Sequence, residues 1–243
     1  MLKKNKNILI ILLFSIGILL ISRFAGIFTG RIFCGVGTSP LIEKTLYKLF
    51  LLILVFISIK YSGNGFAFYG FKQPAKFPYI KIVLVTILIM FISIPLNSIV
   101  FMGILRNFIH SNGNFPNSHY SLFAIILLIW LWSSFVEEVF VRGFLQSNLY
   151  FLKSKKIKIS KLYFSLPVII SAVFFALMHI SNIFYGYDIL YSFTTIANAF
   201  WLGLIASYVR ERYDSIYPAV LVHFTANFIG TLPKVIKEIA ALF

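Results

Sequence analysis

Acidic residues are scarce in this chain, which has only seven Asp and Glu among its 243 residues. Charged residues make up 12% of the sequence and hydrophobic residues 60%, whereas an ordinary soluble domain is about 25% charged. This balance excludes a soluble globular domain. It predicts an all-α protein, a polytopic transmembrane helical bundle of seven to eight membrane helices.

Cysteine and glycosylation signals are also nearly missing. The single cysteine, Cys34, excludes an internal disulfide, and no Asn-x-Ser/Thr acceptor occurs in the sequence. A glycosylated, disulfide-bonded exterior is therefore not supported.

Several catalytic and nucleotide-binding motifs are absent. The sequence contains no Walker A segment, no G-x-G-x-x-G, no H-E-x-x-H and no G-x-S-x-G. These absences argue against nucleotide binding, a zinc-protease helix and a serine nucleophile turn. The net charge of +15 could suit nucleic acid, but the Lys and Arg residues lie in short clusters between apolar runs. We therefore expect no nucleic-acid and no nucleotide partner, and we interpret the positive charge as that of cytoplasmic loops.

Apolar runs of membrane-spanning length, about 20 residues each, make up most of the chain. They are predicted at residues 8–28, 41–60, 80–105, 120–150, 162–181, 189–209 and 215–231. The fourth run is longer than a span needs, so we expect it to extend past the bilayer or to bend near Gly143. The tail after residue 231 is too short and too charged to span, and we expect it to lie along the interface. An eighth crossing or re-entrant segment around residues 183–193 is left open.

Basic residues set the predicted orientation, because cytoplasmic loops of membrane proteins are rich in Lys and Arg. Such residues precede the first run and follow the second, fourth and sixth: Lys3, Lys4 and Lys6; Lys60, Lys72, Lys76 and Lys81; Lys153, Lys155, Lys156, Lys158 and Lys161; Arg210 and Arg212. The connections 107–120 and 182–190 contain none. A seven-span topology with a cytoplasmic N-terminus follows, in which the first run is an uncleaved membrane helix. Lys234 and Lys237 would then face outside.

Two adjacent carboxylates, Glu137 and Glu138, stand inside the fourth apolar run. A carboxylate in the hydrocarbon layer costs roughly 2.5–3.5 kcal/mol. The other five acidic residues fall in loops or near the ends of predicted helices. A chain this apolar would not carry two carboxylates in the bilayer for solubility, so the pair indicates a functional site.

Other strongly polar side chains inside the predicted runs are few. His179 follows Phe175 by four residues in the fifth run, and His223 precedes Asn227 by four residues in the seventh. An interhelical hydrogen bond would explain any one of these polar residues. That explanation weakens when two glutamates, two histidines and an asparagine fall on three helices of one bundle.

Helical spacing assigns different partners to the two glutamates. Glu138 and Arg142 are i,i+4 neighbours, a spacing that suits an ion pair, whereas Glu137 is rotated by about 100° from Glu138. We therefore predict that Arg142 neutralises Glu138 and that Glu137, without a cationic partner, is free to act as a general base. One conflict arises, because Glu137 lies in mid-bilayer while His179 lies near the outer end of its run. At 1.5 Å per residue the offset is on the order of 10 Å.

Three motifs carry a family resemblance: E-E-x-x-x-R at 137–142, F-x-x-x-H at 175–179 and H-x-x-x-N at 223–227. In this order on membrane helices they resemble the CPBP family, the CAAX-protease-like and bacteriocin-processing membrane proteins also called the Abi family. Gly143, directly after the arginine, and Trp201-Leu-Gly203 also fit the resemblance.

The resemblance divides the chain into three parts. It covers residues 120–231 as an intramembrane protease core. Residues 1–119 are expected to be variable N-terminal transmembrane helices, and residues 232–243 an interfacial C-terminal tail.

The resemblance implies an intramembrane endopeptidase of the glutamate or the metallo type. In such an enzyme Glu137 and His179 would activate the attacking water, and His223 and Asn227 would stabilise the tetrahedral oxyanion. The residues expected to support the site are Glu138, Arg142 and Phe175.

Two cofactor schemes stay open. Glu137, His179 and His223 could bind zinc and leave an open coordination position. A metal-free scheme, in which Glu137 and His179 activate water directly, needs the same residues.

The sequence also bears on partners and location. A composition rich in Lys, Ile, Asn and Phe suggests a bacterial genome rich in A and T, where prenylated substrates are not expected. The expected partners are the lipid bilayer of a bacterial plasma membrane and a membrane-associated peptide or protein substrate, with bacteriocin maturation or self-immunity as the natural family role. The alternatives are a non-proteolytic scaffold or regulator that retains the fold, which the complete motifs disfavour, and a proton-relaying transporter, which the absence of inverted repeats disfavours.

Overall fold

The structure is a computed structural model, which describes residues 7–34, 40–74, 76–109, 121–159 and 162–240. Predictions that rest on Lys3, Lys4, Lys6 and Lys161, and on the connection at 110–120, concern residues outside the described part of the chain. Within the described part, the protein is a bundle of long helices with one small hairpin.

The helices follow the predicted apolar runs closely. They are α1 (Ile8–Cys34), α2 (Pro40–Tyr61), α3 (Tyr79–Asn107), α4 (Leu122–Asn148), α5 (Leu166–Met178), the short α6 (Ser181–Phe184), α7 (Ile189–Tyr213) and α8 (Tyr217–Ala240). In the described part of the chain, six segments are long and apolar enough to cross a membrane, with α5 and α6 counted as one. The helix α2 is not among the six, and it carries four charged residues, Glu43, Lys44, Lys48 and Lys60. The prediction of an all-α polytopic membrane protein is confirmed.

The fourth helix forms the centre of the bundle. Every side chain from Val136 to Ser147 is buried. The helix continues through Gly143, but Ile125–Ser133 and Val139–Leu145 are wound as π-helix around the α-helical turn Ser134–Glu138. Short π-helical insertions occur frequently at functional sites, and here they flank the two glutamates.

The helices α1 and α2 pack against each other at close range. A Cβ atom built on Gly26 would lie 2.6 Å from the backbone nitrogen of Tyr47. Small residues allow such an approach between membrane helices. The contact fixes α2, and with it Lys48, against the rest of the bundle.

The fifth predicted run begins too early. Its first four residues form strand β2 (Leu162–Ser165), which pairs antiparallel with β1 (Lys156–Ile159). The alternation Lys-Ile-Lys-Ile suits a strand with two unlike faces. The helix α5 starts at Leu166 because Ser165 accepts a hydrogen bond from the Val168 amide and Pro167 stands in the first turn. The helical class therefore includes one two-stranded hairpin.

The predicted boundary between residues 231 and 232 lies inside a helix. The helix α8 runs through Pro233 to Ala240 without a break. The interfacial position of residues 232–243 stays a prediction.

Three connections that the basic clusters place on one side of the membrane meet at one end of the bundle. The Arg210 guanidinium donates to the Phe68 carbonyl oxygen at 3.3 Å and to Ser147 Oγ at 3.0 Å. Lys72, in the connection after α2, forms an ion pair with Asp214, which lies in the connection between α7 and α8. These contacts gather the segments after α2, α4 and α7 at the same end, as the predicted topology requires.

Candidate active site

The predicted ion pair within α4 is confirmed. The Nη1 atom of Arg142 lies 2.8 Å from Oε1 of Glu138, and both side chains are completely buried. The Nη2 atom of Arg142 donates to the Gly203 carbonyl oxygen of α7 at 3.0 Å. The pair therefore ties α4 to α7 as well as neutralising Glu138.

Gly203 leaves the space that this arrangement needs. A Cβ atom at this position would lie 3.1 Å from Cα of Ala172 and 3.3 Å from Nη2 of Arg142. The glycine thus lets α7 approach α5 while its carbonyl receives the guanidinium. The close approach of α7 to α5 gives a physical reason for the glycine of Trp201-Leu-Gly203, the segment that fits the family resemblance.

His223 lies between the two glutamates. Its Nδ1 atom is 2.8 Å from Oε1 of Glu138, and its Nε2 atom is 3.8 Å from Oε2 of Glu137. An ionised carboxylate only accepts hydrogen bonds, so Nδ1 of His223 carries a proton and donates it to Glu138. Glu138 thereby orients the ring and directs Nε2 toward Glu137.

His179 is the residue that directly follows α5. Its Nδ1 atom lies 3.0 Å from the Phe175 carbonyl oxygen. This contact fixes the orientation of the ring, so that Nε2 is the nitrogen available for chemistry. The ring of Phe175 packs edge-on against His179 at 5.1 Å and against His223 at 5.4 Å, and the Arg142 guanidinium lies 4.4 Å from its centre. The Phe175 ring therefore contacts the Arg142 guanidinium and both imidazoles.

The predicted offset between Glu137 and His179 is not present in the structure. Both residues line the same cavity, because α5 ends at Met178 and the chain turns directly into α6. Arg23 of α1 closes this end by donating to the Met178 carbonyl oxygen at 3.1 Å and to Ser181 Oγ at 2.9 Å. The end of α5 is therefore a wall of the site.

Asn227 lies beside α4. Its Nδ2 atom donates to the Ile129 carbonyl oxygen at 3.1 Å and to Ser134 Oγ at 3.0 Å. Both amide hydrogens are therefore engaged. To donate to an oxyanion, as the resemblance implies, Asn227 would have to release one of these two acceptors.

The prediction that Glu137 has no cationic partner is wrong. The Nζ atom of Lys48 lies 2.9 Å from Oε1 of Glu137, and Ser133 Oγ donates to the same oxygen at 2.9 Å. Lys48 is on α2, outside the segment that carries the motifs. A signal was available in the sequence, since a lysine inside an apolar run is itself an intramembrane charge that needs a partner.

The cavity has a volume of about 250 Å³. The four predicted catalytic residues line it, namely Glu137, His179, His223 and Asn227. Three cationic side chains of α1 and α2 also line it, namely Arg23, Lys44 and Lys48. The arrangement places a carboxylate and two imidazoles around one buried space, which is a donor and acceptor set suited to acid–base chemistry on water.

The geometry of these residues bears on zinc binding. Among the described residues, no three His, Cys, Asp or Glu side chains are grouped closely enough to hold a metal ion. An ammonium group occupies the position next to Glu137 Oε1. In this arrangement the residues do not fit the zinc site that the sequence left open.

Comparison with known proteins agrees with the motifs. Residues 119–229 match the family model described as type II CAAX prenyl endopeptidase, Rce1-like. Neither the comparison with curated proteins nor the comparison with solved structures found a match. The matched segment contains the glutamate pair, both histidines and Asn227, but not α1 and α2. Over residues 119–229, the segment that carries all three motifs, this multi-pass membrane protein is similar to the Rce1-like family of type II CAAX prenyl endopeptidases.

Proposed function

We propose that the protein is an intramembrane endopeptidase that hydrolyses a peptide bond in a membrane-embedded or membrane-proximal segment. The observation that carries the proposal is the convergence of Glu137, His179, His223 and Asn227 from three helices on one cavity. The match of residues 119–229 to a family of endopeptidases supports the same class of reaction.

In the proposed first step, Glu137 and His179 activate a water molecule. Oε2 of Glu137 accepts a proton from the water. At the same time the water oxygen forms a bond to the carbonyl carbon of the substrate. The carbonyl oxygen becomes an oxyanion. His223, in its doubly protonated form, donates from Nε2 to this oxyanion, while Nδ1 remains on Glu138.

In the second step, Glu137 returns the proton to the amide nitrogen and the C–N bond breaks. The products are a carboxylic acid and an amine, the acid then gives its proton to the amine, and Glu137 is ionised again. Glu138 and Arg142 keep their charges throughout, so their contribution is to orient His223 and Phe175. Asn227 contributes a further donor to the oxyanion if it exchanges Ser134 Oγ for the substrate.

The proposed reaction uses no metal ion. Two imidazole Nε2 atoms and one carboxylate oxygen suffice for the proton transfers, and an ammonium group already compensates Glu137. Metal analysis of the purified protein and treatment with a chelator test this point. Cleavage that is lost with the chelator and restored by zinc would show that the metal-free scheme is wrong.

The substrate that we propose is a bacterial membrane-associated peptide, as in bacteriocin maturation or self-immunity. The composition of the chain, which suggests a bacterial source without prenylated proteins, supports a non-prenylated peptide over the prenylated substrates named in the family description.

The test compares cells that express the wild type, Glu137→Gln or His179→Ala by mass spectrometry of membrane peptides. We expect at least one cleavage product with the wild type that both variants lack. The matched control is Glu211→Gln, which makes the same chemical change far from the cavity and should preserve the product. The Glu211 carboxylate accepts a hydrogen bond from Ser165 Oγ. Unchanged peptide patterns in all variants, at equal expression, would refute the protease and favour a non-proteolytic scaffold.

A further inference from the structure

The two carboxylate oxygens of Glu137 have different surroundings. Oε1 is 2.9 Å from Lys48 Nζ and accepts the hydrogen bond of Ser133 Oγ at 2.9 Å. Lys48 Nζ also donates to Ser133 Oγ. Oε2 lies 3.8 Å from His223 Nε2, beyond the length of a direct hydrogen bond. One oxygen is held by two donors, and the other faces the imidazole across a gap.

Burial makes this contact a strong constraint. The side chain of Lys48 is 12% exposed and that of Glu137 is 9% exposed, so both charges are largely removed from solvent. A partly buried pair is screened much less than a surface pair. Removing one partner of such a pair leaves a buried charge without compensation. The carboxylate is therefore confined to one orientation.

We propose that Lys48 and Ser133 form a clamp on Oε1 of Glu137, which presents Oε2 as the oxygen that takes the proton from water. The inference rests on the proposed function. It makes Lys48 a positioning residue of the reaction and adds α2 to the active site. The clamp lies partly outside residues 119–229, so the family match does not contain it.

The charge of Lys48 also suits the course of the reaction. When Glu137 accepts a proton it becomes neutral, and at the same moment the substrate oxygen becomes negative. The total charge of the site is then the same before and after the step, which limits the electrostatic reorganisation that the step requires. An ammonium has three N–H donors, of which Oε1 and Ser133 Oγ take two, and Lys48 lines the cavity.

The decisive experiment measures kcat and KM on a membrane peptide that the wild type cleaves, with purified protein in detergent or vesicles. Lys48→Met keeps the length of the side chain and removes its charge and donors. We expect kcat to fall on the order of 10²-fold, as for a misplaced catalytic group, with KM close to that of the wild type. Lys48→Arg should stay within about tenfold of the wild type, because a guanidinium also donates to a carboxylate.

Two further variants separate positioning from folding. Ser133→Ala removes the second donor to Oε1 and leaves the ion pair, so the protein should fold normally while kcat falls about tenfold. Lys60→Met, on the exposed last turn of the same helix, is the control and should leave kcat unchanged. If Lys48→Met does not fold, Ser133→Ala still decides the matter.

Each outcome has a separate meaning. If Lys48→Met folds and has the kcat of the wild type, the clamp is overturned. If Lys48→Met does not fold, a wild-type kcat in Ser133→Ala overturns it. If Glu137→Gln abolishes cleavage in the same assay, the proposed function stands although the clamp has failed. If Glu137→Gln cleaves as the wild type does, the proposed function itself has failed. If both variants fold and kcat falls as far in Lys48→Arg as in Lys48→Met, that result would also count against a role of Lys48 as donor and charge.

Discussion

His223 and Glu138 meet through a 2.8 Å contact between Nδ1 and Oε1, although 85 residues separate them in the chain. The same oxygen of Glu138 receives Nη1 of Arg142 at 2.8 Å. Glu138, which was predicted to pair with Arg142 and to support the site, therefore also orients an imidazole. Its other oxygen, Oε2, is buried without a hydrogen-bond partner in the described part of the chain.

The first prediction concerns this double contact. Glu138→Gln should lower kcat by about 10²- to 10⁴-fold, because the carboxylate that orients a catalytic imidazole is lost. It should also lower thermal stability, since Arg142 is left buried without its counter-ion. Both quantities are measured on the purified variant, by peptide cleavage and by thermal unfolding.

A double variant, Glu138→Gln with Arg142→Met, separates the two effects. We expect it to recover part of the stability, because no buried charge remains unpaired, but none of the activity. Recovery of cleavage in the double variant would show that Glu138 serves only to balance Arg142.

The second prediction uses the close approach of α5 and α7 at Gly203. Gly203→Ala places a methyl group 3.1 Å from Cα of Ala172 and 3.3 Å from Nη2 of Arg142. We expect a loss of about 1–3 kcal/mol in unfolding free energy and lower activity, because Arg142 is displaced. The control is Gly230→Ala in α8, where a Cβ atom meets nothing within 4 Å. A loss of stability in Gly230→Ala as large as in Gly203→Ala would argue against the packing explanation.

The third prediction concerns the contact that brings α2 to the site. Gly26→Ala would put a Cβ atom 2.6 Å from Tyr47 N, whereas Gly17→Ala on the same helix meets nothing within 4 Å. Only the first should separate α1 from α2 and reduce cleavage, because it shifts Lys48 away from Glu137. Activity of both variants at equal expression measures the difference. Full activity of Gly26→Ala would mean that α1 does not hold α2 in place.

The fourth prediction concerns orientation, for which the positive-inside rule favours a cytoplasmic N-terminus. Cys34 is the single cysteine, so a Cys34→Ser background allows one new cysteine at a time. A cysteine replacing Lys153, beside the hairpin, should react with a membrane-impermeant reagent only after the cells are opened. A cysteine replacing Phe184, which is 85% exposed in α6 at the other end, should react in intact cells. The reverse pattern would invert the topology.

The elements that depend on local sequence were predictable. In the described part of the chain, the apolar runs correspond to seven long helices, and six of these, with α5 and α6 counted as one, are long and apolar enough to cross a membrane. The pair of Glu138 and Arg142 was predictable because i,i+4 spacing brings side chains together on any helix. The start of α5 was missed because Leu162 to Ser165 are as apolar as a helix end, while the strand partner lies in a preceding basic segment.

The contacts between distant residues were not predictable. The motifs indicated that Glu137, His179, His223 and Asn227 belong to one site, but helical periodicity does not tell which residue of one helix meets which residue of another. Lys48 and Ser133 are 85 residues apart, and their contact depends on how α1, α2 and α4 pack. The error about Glu137 arose because its cation comes from a helix without any of the motifs.

By itself, the sequence determined the class of the protein, its membrane helices and the set of polar residues that the bilayer makes costly. Those properties follow from composition and from spacing along a single helix. Only the tertiary structure decided the partners of these residues: Lys48 for Glu137, His223 for Glu138, and the inward end of α5 for His179. The physical reason is that a buried charge must be paired, but the identity of its partner is set by the packing of helices that are far apart in the chain.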